Sequence, residues 1–239
     1  MTVYTREQWG SSLPRGGYAI AGQVGEAYVH HFDSGITAPR TVDEAMARMR
    51  GAQAYHANTQ GWGDIGYSWC VDELGNIYEG RGWFRTGAHT YGYNSKGYGI
   101  CWLGDSNVAV PSDAAIAAVA ECVRMGVAAG ALVDGPTVVA HRDRVPDTAC
   151  CGDPMYLRLD DIRRLVAVGG VPEDGGEDKD KDMPALLCNI DGSIYGCFAD
   201  GVWRMLGGAE YTHWSAKGVD QVAYTKDEWA TLRGWGRVA

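Results

Sequence analysis

The stretch Ala140-His141-Arg142-Asp143-Arg144-Val145-Pro146-Asp147-Thr148-Ala149-Cys150-Cys151-Gly152-Asp153 constrains this chain more than any other, because it sets a histidine and a cysteine at the two ends of one short polar loop. Before it runs Pro136-Thr137-Val138-Val139-Ala140, a β-branched segment after a Gly-Pro break, which places His141 at the end of a buried strand. The loop then brings Cys150 back. Imidazole and thiolate are both good zinc ligands, and a catalytic zinc takes three protein ligands while a fourth position stays open for water. The pair therefore reads as two-thirds of a zinc site. The third ligand is expected from a second strand-like run far upstream, Ala27-Tyr28-Val29-His30-His31-Phe32, through His30 or His31.

A chain of 239 residues suits one domain of average size with a small appendage, and its 46% hydrophobic content supports a core. A net charge of −9 argues against nucleic acid as the main partner, since phosphate binding needs a basic face, and equally against a membrane-surface role. No apolar run approaches the ~20 residues that span a bilayer. The segment Met1 to Trp9 has no hydrophobic signal-peptide core, so the chain is expected to be made as a soluble protein without its own export signal. Seven cysteines, an odd number, do not form a disulfide framework by counting. Cys70 and Cys101 in strand-like runs and Cys122 on a helical one read as small buried hydrophobes. Cys188 and Cys197 flank a hairpin turn at Asp191-Gly192: a two-residue loop sets Cys188 opposite Tyr195 and a three-residue loop opposite Gly196, so free thiols are expected.

Taken in order, the chain opens as an extended arm anchored by Trp9. A first core strand at about Ala27 to Phe32 and a loop from Asp33 to Arg40 follow. From Thr41 the period changes: Val42, Ala45, Met46, Met49, Ala52 and Tyr55 recur at helical spacing, with Thr41 and Glu44 as a capping box. A glycine-rich turn, Gly61 to Gly66, leads into a strand that starts near Tyr67, and Ile77 to Arg81 returns as its partner. Gly87-Ala88-His89-Thr90-Tyr91-Gly92-Tyr93-Asn94 suits a surface loop that touches a ligand. Tyr98 to Leu103 is a third core strand. A second helix follows with Ser112 as N-cap and Ile116, Val119, Ala120, Val123 and Val127 on one face. A closing helix starts near Leu157. Strands interleaved with helices predict an α/β fold, a mixed central β-sheet flanked by helices.

Residues 169–183 break all periodicity with six acidic side chains against Lys179 and Lys181, the composition of a solvated linker. The expected division is a catalytic domain over 1–168, an acidic linker over 169–183 and a small β-rich domain over 184–239. In the last, short strands join at Asp191-Gly192 and Asp200-Gly201, and Thr225 with Glu228 caps a short helix through Leu232. Its aromatic density, with Trp203, Trp214, Trp229 and Trp235, suits cell-wall binding by sugar stacking, with a structural or dimerising tail as the other reading.

With these residues placed, the chain resembles the zinc-dependent N-acetylmuramoyl-L-alanine amidases shared by phage lysozyme-type endolysins, bacterial autolysins and peptidoglycan recognition proteins. The resemblance covers roughly Thr5 to Leu165. It rests on Arg6-Glu7-Gln8-Trp9-Gly10, Val29-His30-His31, Gly61-Trp62-Gly63-Asp64-Ile65-Gly66-Tyr67, Gly87-Ala88-His89 to Asn94, Gly99-Ile100, and His141-Arg142-Asp143 before Thr148-Ala149-Cys150, all in the family order. The resemblance implies His30, His141 and Cys150 as zinc ligands and Tyr67 and Thr148 as catalytic residues beside the metal. It implies a substrate groove that takes in His31, Trp62, His89 and Asn94. The loop between His141 and Cys150 is one residue longer than the usual family spacing and Cys151 stands where proline is common, which makes Cys151 the alternative ligand; the flanking Thr148-Ala149 and Gly152-Asp153 favour Cys150.

The implied reaction is hydrolysis of the amide between N-acetylmuramic acid and the L-alanine of the stem peptide, with peptidoglycan as partner. Cys101 stands where some amidases of this superfamily carry a glutamate, which suggests the phage and recognition-protein branch, without a separate carboxylate base. A non-catalytic recognition protein of the same fold is the main rival. A structural zinc domain would need a fourth ligand, with His56 or Cys151 as candidates. An N-terminal amidase joined to a compact C-terminal module resembles a phage endolysin that waits in the host cytoplasm until it is released to the wall.

Overall fold

The computed structural model describes residues 1–32, 35 and 37–168, and the backbone of four strands beyond them. Part of the loop expected over 33–40, the acidic segment 169–183 and the helix expected from Thr225 to Leu232 lie outside the described residues, as do the tail's aromatic side chains. The chain divides into two compact units, Met1–Val171 and Pro172–Ala239.

The first unit runs β1 (Val3–Tyr4), β2 (Val24–His31), α1 (Val42–Ala54), β3 (Trp69–Val71), β4 (Ile77–Glu79), β5 (Gly97–Trp102), α2 (Asp113–Ala128), β6 (Leu132–Ala140), α3 (Asp153–Tyr156) and α4 (Leu159–Ala167). Its six strands form one mixed sheet in the order β1-β4-β3-β5-β2-β6. The β3–β4 pair is antiparallel, while β3, β5, β2 and β6 run parallel. The parallel strands β5, β2 and β6 therefore end along one edge of the sheet, the place where open α/β sheets put their sites.

Strand alternation divides the core in two. Ala27, Val29, Trp69, Val71, Ile77, Tyr98, Ile100 and Trp102 share one cluster with side chains of α2 and α4. Cys70, Tyr78, Cys101 and Leu103 point the other way and join Ala45, Met49 and Ala52 of α1, with Trp9 and Ile65. The parallel strands carry apolar residues on both faces, so their runs read as nearly continuous rather than alternating.

Both long helices start where the sequence places them. The Thr41 hydroxyl accepts from Glu44 N–H (3.2 Å), although the Glu44 carboxylate reaches past Thr41 to Arg40 N–H (2.7 Å), so the box closes one residue further out. Ser112 accepts from Ala115 N–H (3.1 Å) while its own hydroxyl donates to Glu73 O (2.7 Å), tying α2 to the β3–β4 turn. The expected stripe of α1 departs at its end. A π-helical turn over Tyr55–Thr59 inserts a residue into the helical register, so Tyr55 is 52% exposed and His56 takes the buried place.

The N-terminal arm is tied down more firmly than an arm lying on a surface. Val3–Tyr4 pairs with β4 as an edge strand, and fully buried Trp9 donates its indole N–H to Glu79 O (2.8 Å). Arg6 grips Asp64 with both terminal nitrogens at 3.0 and 3.1 Å and also donates to Leu13 O and Gly80 O. Asp64 further accepts from Gly16 N–H and the Gln53 amide. Every acceptor of this buried carboxylate is engaged, which is what makes a buried charge tolerable.

The closing helix is split, with the short α3 ahead of α4. In the second unit β7 (Leu186–Ile190), β8 (Ser193–Cys197), β9 (Trp203–Met205) and β10 (Gln221–Tyr224) form a sheet in the order β10-β7-β8-β9. Cys188 pairs with Tyr195, the register of a two-residue loop. The parallel strand β10 has no counterpart in the sequence reading.

Candidate metal centre

His30 stands near the end of β2, and His141 follows β6 directly, one step beyond the Val29–Ala140 pair. Neighbouring parallel strands thus present two imidazoles side by side, with ring centroids 4.7 Å apart. The loop after β6 returns Cys150 to the same point, its Sγ 3.6 Å from His30 Nδ1. The three ligand atoms lie within 4.8 Å of one another.

The loop that carries Cys150 is clamped by its own residues. Arg142 N–H donates to Cys150 O (2.8 Å), and the Arg142 guanidinium donates to Gly152 O (3.0 Å) and Asp153 (2.7 Å). That guanidinium lies 3.9 Å over the Tyr156 ring, whose hydroxyl donates to Asp143. The Asp143 carboxylate in turn accepts from Ala140 N–H (2.9 Å), which closes the loop onto the strand end.

The donor set fits a zinc-type ion: two neutral imidazoles and a sulfur, close enough to converge on one point. Burial, helped by the neighbouring imidazoles, pushes His30 well below the ordinary histidine range, and burial lowers His141 as well, so both keep a lone pair to offer. The alternative ligand, Cys151, turns into the core among Met155, Leu159 and Ile162, where burial raises its thiol. His56 is stacked on Trp62 and its Nδ1 accepts from Gly66 N–H (3.2 Å). Among the described residues no fourth ligand joins the three.

Tyr67 and Thr148 flank the cluster. The ring of partly buried Tyr67 lies 5.3 Å from that of His30. Burial raises the Tyr67 phenol well above the ordinary range, so it stays protonated and can donate. Its loop is held by Arg81, which donates to Trp62 O, Ile65 O and Thr86 O. Thr148 Oγ1 accepts from Cys150 N–H (3.2 Å), which leaves the hydroxyl proton to give.

The expected groove residues separate. Trp62 is 41% exposed and remains available to a ligand. His31 is not brought to the site. As the next residue along the strand it points to the opposite face, is 2% exposed, and accepts from Ser106 N–H (3.0 Å) near Asp105. His89 is buried beneath the cluster rather than lining an open surface, with its ring 5.2 Å from that of His30. Asn94 Oδ1 accepts from both His89 N–H (2.8 Å) and Thr90 N–H (2.9 Å), so this atom holds the loop. Arg81, Asp64 and Thr90 were not anticipated in these roles. Their partners are distant in sequence or are backbone carbonyls, and no spacing signals that.

The sheet edge presents two histidines and a cysteine with a tyrosine and a threonine beside them, on a fold shared with the peptidoglycan recognition proteins. Drosophila PGRP-LB has this fold: at 30% identity the two structures superpose with a TM-score of 0.62 over 66% of this chain and 92% of that one. A mutant of the same protein in complex with tracheal cytotoxin superposes equally well, at 29% identity.

The chain belongs to the N-acetylmuramoyl-L-alanine amidase family, whose profile matches residues 26–153. The human N-acetylmuramoyl-L-alanine amidase is 40% identical over 158 residues, 64% of this chain but 27% of that protein. Peptidoglycan-recognition protein SC2 of Drosophila melanogaster is 32% identical over 66% of this chain and 85% of its own length. The chain thus spans about a quarter of the mammalian relative and most of the insect one.

Proposed function

We propose that the first unit is a zinc-dependent hydrolase that cuts the amide between the lactyl group of N-acetylmuramic acid and the L-alanine of the stem peptide. The observation that carries this reading is the three-ligand set of His30, His141 and Cys150 with Tyr67 and Thr148 alongside. Zinc bound there would polarise the scissile carbonyl and lower the pKa of a water toward ~7. His30 and His141 supply neutral imidazoles, and burial keeps them in that form. The Tyr67 phenol donates to the oxygen of the attacked amide or positions the water, and the Thr148 hydroxyl donates from the metal loop. Neither is a strong base, so both act as hydrogen-bond donors. That a relative was solved with tracheal cytotoxin supports peptidoglycan fragments as the ligand class here.

The setting we propose is that of a phage endolysin, held in the host cytoplasm until it reaches the wall. An acidic linker over 169–183 would join the amidase over 1–168 to a wall-binding module over 184–239. The separate compact unit Pro172–Ala239 supports this division.

The test is mass spectrometry of soluble products from purified peptidoglycan treated with the wild type and with Cys150→Ala, each with and without zinc. Stems with a free L-alanine amine, released by the wild type alone, are expected. If the wild type releases nothing yet pellets with the wall, the protein is a recognition protein of the same fold.

A further inference from the structure

Between the cluster and the loop beneath it lies a side chain that belongs to neither the ligands nor the groove. Thr90 is fully buried, and its Oγ1 stands 3.3 Å from His30 Nε2 and 2.9 Å from His89 Nδ1. On the far side of the same ring, His30 Nδ1 faces Cys150 Sγ. A neutral imidazole carries one proton, and its tautomer decides which nitrogen offers the lone pair. The tautomer that turns the Nδ1 lone pair toward Cys150 and His141 carries its proton on Nε2. In that tautomer the Nε2–H points into the buried side, where Thr90 Oγ1, 3.3 Å away, is the oxygen placed to accept it.

The acceptor is itself held in place. Asn94 Oδ1 receives the N–H groups of His89 and Thr90, which fixes the backbone at both residues. His89 is confined by two glycines: a Cβ at Gly99 would come within 2.5 Å of its ring and one at Gly87 within 2.1 Å. The hydroxyl has one proton and two lone pairs, so it can donate to His89 Nδ1 while it accepts from His30.

We infer that Thr90 is a positioning residue that holds the metal-ready tautomer and ring orientation of His30, with His89 and Asn94 orienting Thr90. This rests on the metal-site reading above. Outer-sphere partners of this kind typically change metal affinity by about 10- to 100-fold when they are removed.

The experiment is zinc titration of the full chain against a chromophoric chelator, with cobalt(II) absorption as a second readout. The proteins are wild type, Thr90→Val, Thr90→Ala, Thr90→Ser and Cys150→Ala, with thermal melts to show that each is folded. Valine keeps the shape and branching and removes the hydroxyl; serine restores it. Thr90→Val and Thr90→Ala should bind zinc about 10- to 100-fold more weakly than wild type, and Thr90→Ser within about threefold of it. The thiolate–cobalt band should survive in the Thr90 variants and vanish in Cys150→Ala. Wild-type affinity in Thr90→Val or Thr90→Ala overturns the positioning role and leaves the metal site standing. A Thr90→Ser as weak as Thr90→Val also overturns it, since the methyl packing rather than the hydroxyl would then matter. No zinc binding by wild type overturns the metal site itself.

Discussion

Adjacent cysteines with opposite fates show how sharply one position matters. Cys150 faces His30 while Cys151 fills the core beside Met155. Cys150→Ala should therefore abolish tight zinc binding and lower hydrolysis by at least about 100-fold. Cys151→Ala should keep both and cost about 1 kcal/mol of stability through the small cavity it leaves. Chelator competition and urea unfolding of the two variants check the pair. A second residue-scale prediction concerns Glu73, whose carboxylate accepts from the Trp102 indole N–H (3.0 Å) and is raised by burial to about 7. Its folded pKa lies above its unfolded one, so its contribution to stability is complete below pH ~4.5 and is lost as the pH climbs toward 7. Glu73→Gln keeps an acceptor and does not titrate. Relative to wild type it should gain about 1 to 2 kcal/mol between pH 5 and pH 8, a figure reduced for the partial exposure of the carboxylate. Denaturant melts at the two pH values measure it, and no gain at pH 8 would refute the burial argument.

The elements pass constraint from the sheet to the site. Strand β5 offers Gly99 at the point where the His89 ring lies against it, so Gly99→Ala should push His89 and Thr90 away from His30. The expected result is weaker zinc binding together with a stability loss of about 1 to 3 kcal/mol from overpacking. Ser112→Ala is the contrasting case. It removes the N-cap of α2 and should cost about 1 kcal/mol with zinc affinity unchanged, because the Ser112 hydroxyl serves the helix start and the β3–β4 turn rather than a ligand. Both helix starts were legible in the sequence because a hydroxyl cap and the turn it serves lie within a few residues of each other. The end of α1 was not, since a π-helical turn depends on what the helix meets and leaves no periodic mark.

At the level of the whole first unit, the N-terminal residues act as a strap. Arg6 reaches Asp64, and Asp64 gathers Gly16 and Gln53, so one buried ion pair joins the arm, the Gly61–Tyr67 loop and α1. Arg6→Ala leaves that carboxylate unpaired and should cost about 3 to 5 kcal/mol, read by thermal and urea unfolding. Because the first unit has its own two-sided core, residues 1–171 alone should unfold cooperatively and hydrolyse soluble muramyl peptides. If the second unit binds the wall, this fragment should lose more activity on insoluble sacculi than on soluble peptides. Equal activity on both would assign that unit another role.

The sequence by itself determined the order of the central strands and the two long helices of the first unit, the caps of those helices and the residues that can act as ligands. These follow from chemistry that is local along the chain: side-chain alternation, a hydroxyl within reach of the next turn, an imidazole at a strand end. The edge strand β1 and the split of the closing helix were not read from the sequence. The residue pattern alone left His30 and His31 both open, and the preference for His30, like that for Cys150 over Cys151, came from the family resemblance and the flanking residues; neighbours on a strand point to opposite sides, and the packed sheet decides which side carries the site. Thr90 beneath His30, Arg81 behind the Tyr67 loop and the burial of Glu73 also belong to the tertiary structure. Each is defined by a partner far away in sequence, and a buried polar group takes its role from whatever the fold brings within hydrogen-bonding distance.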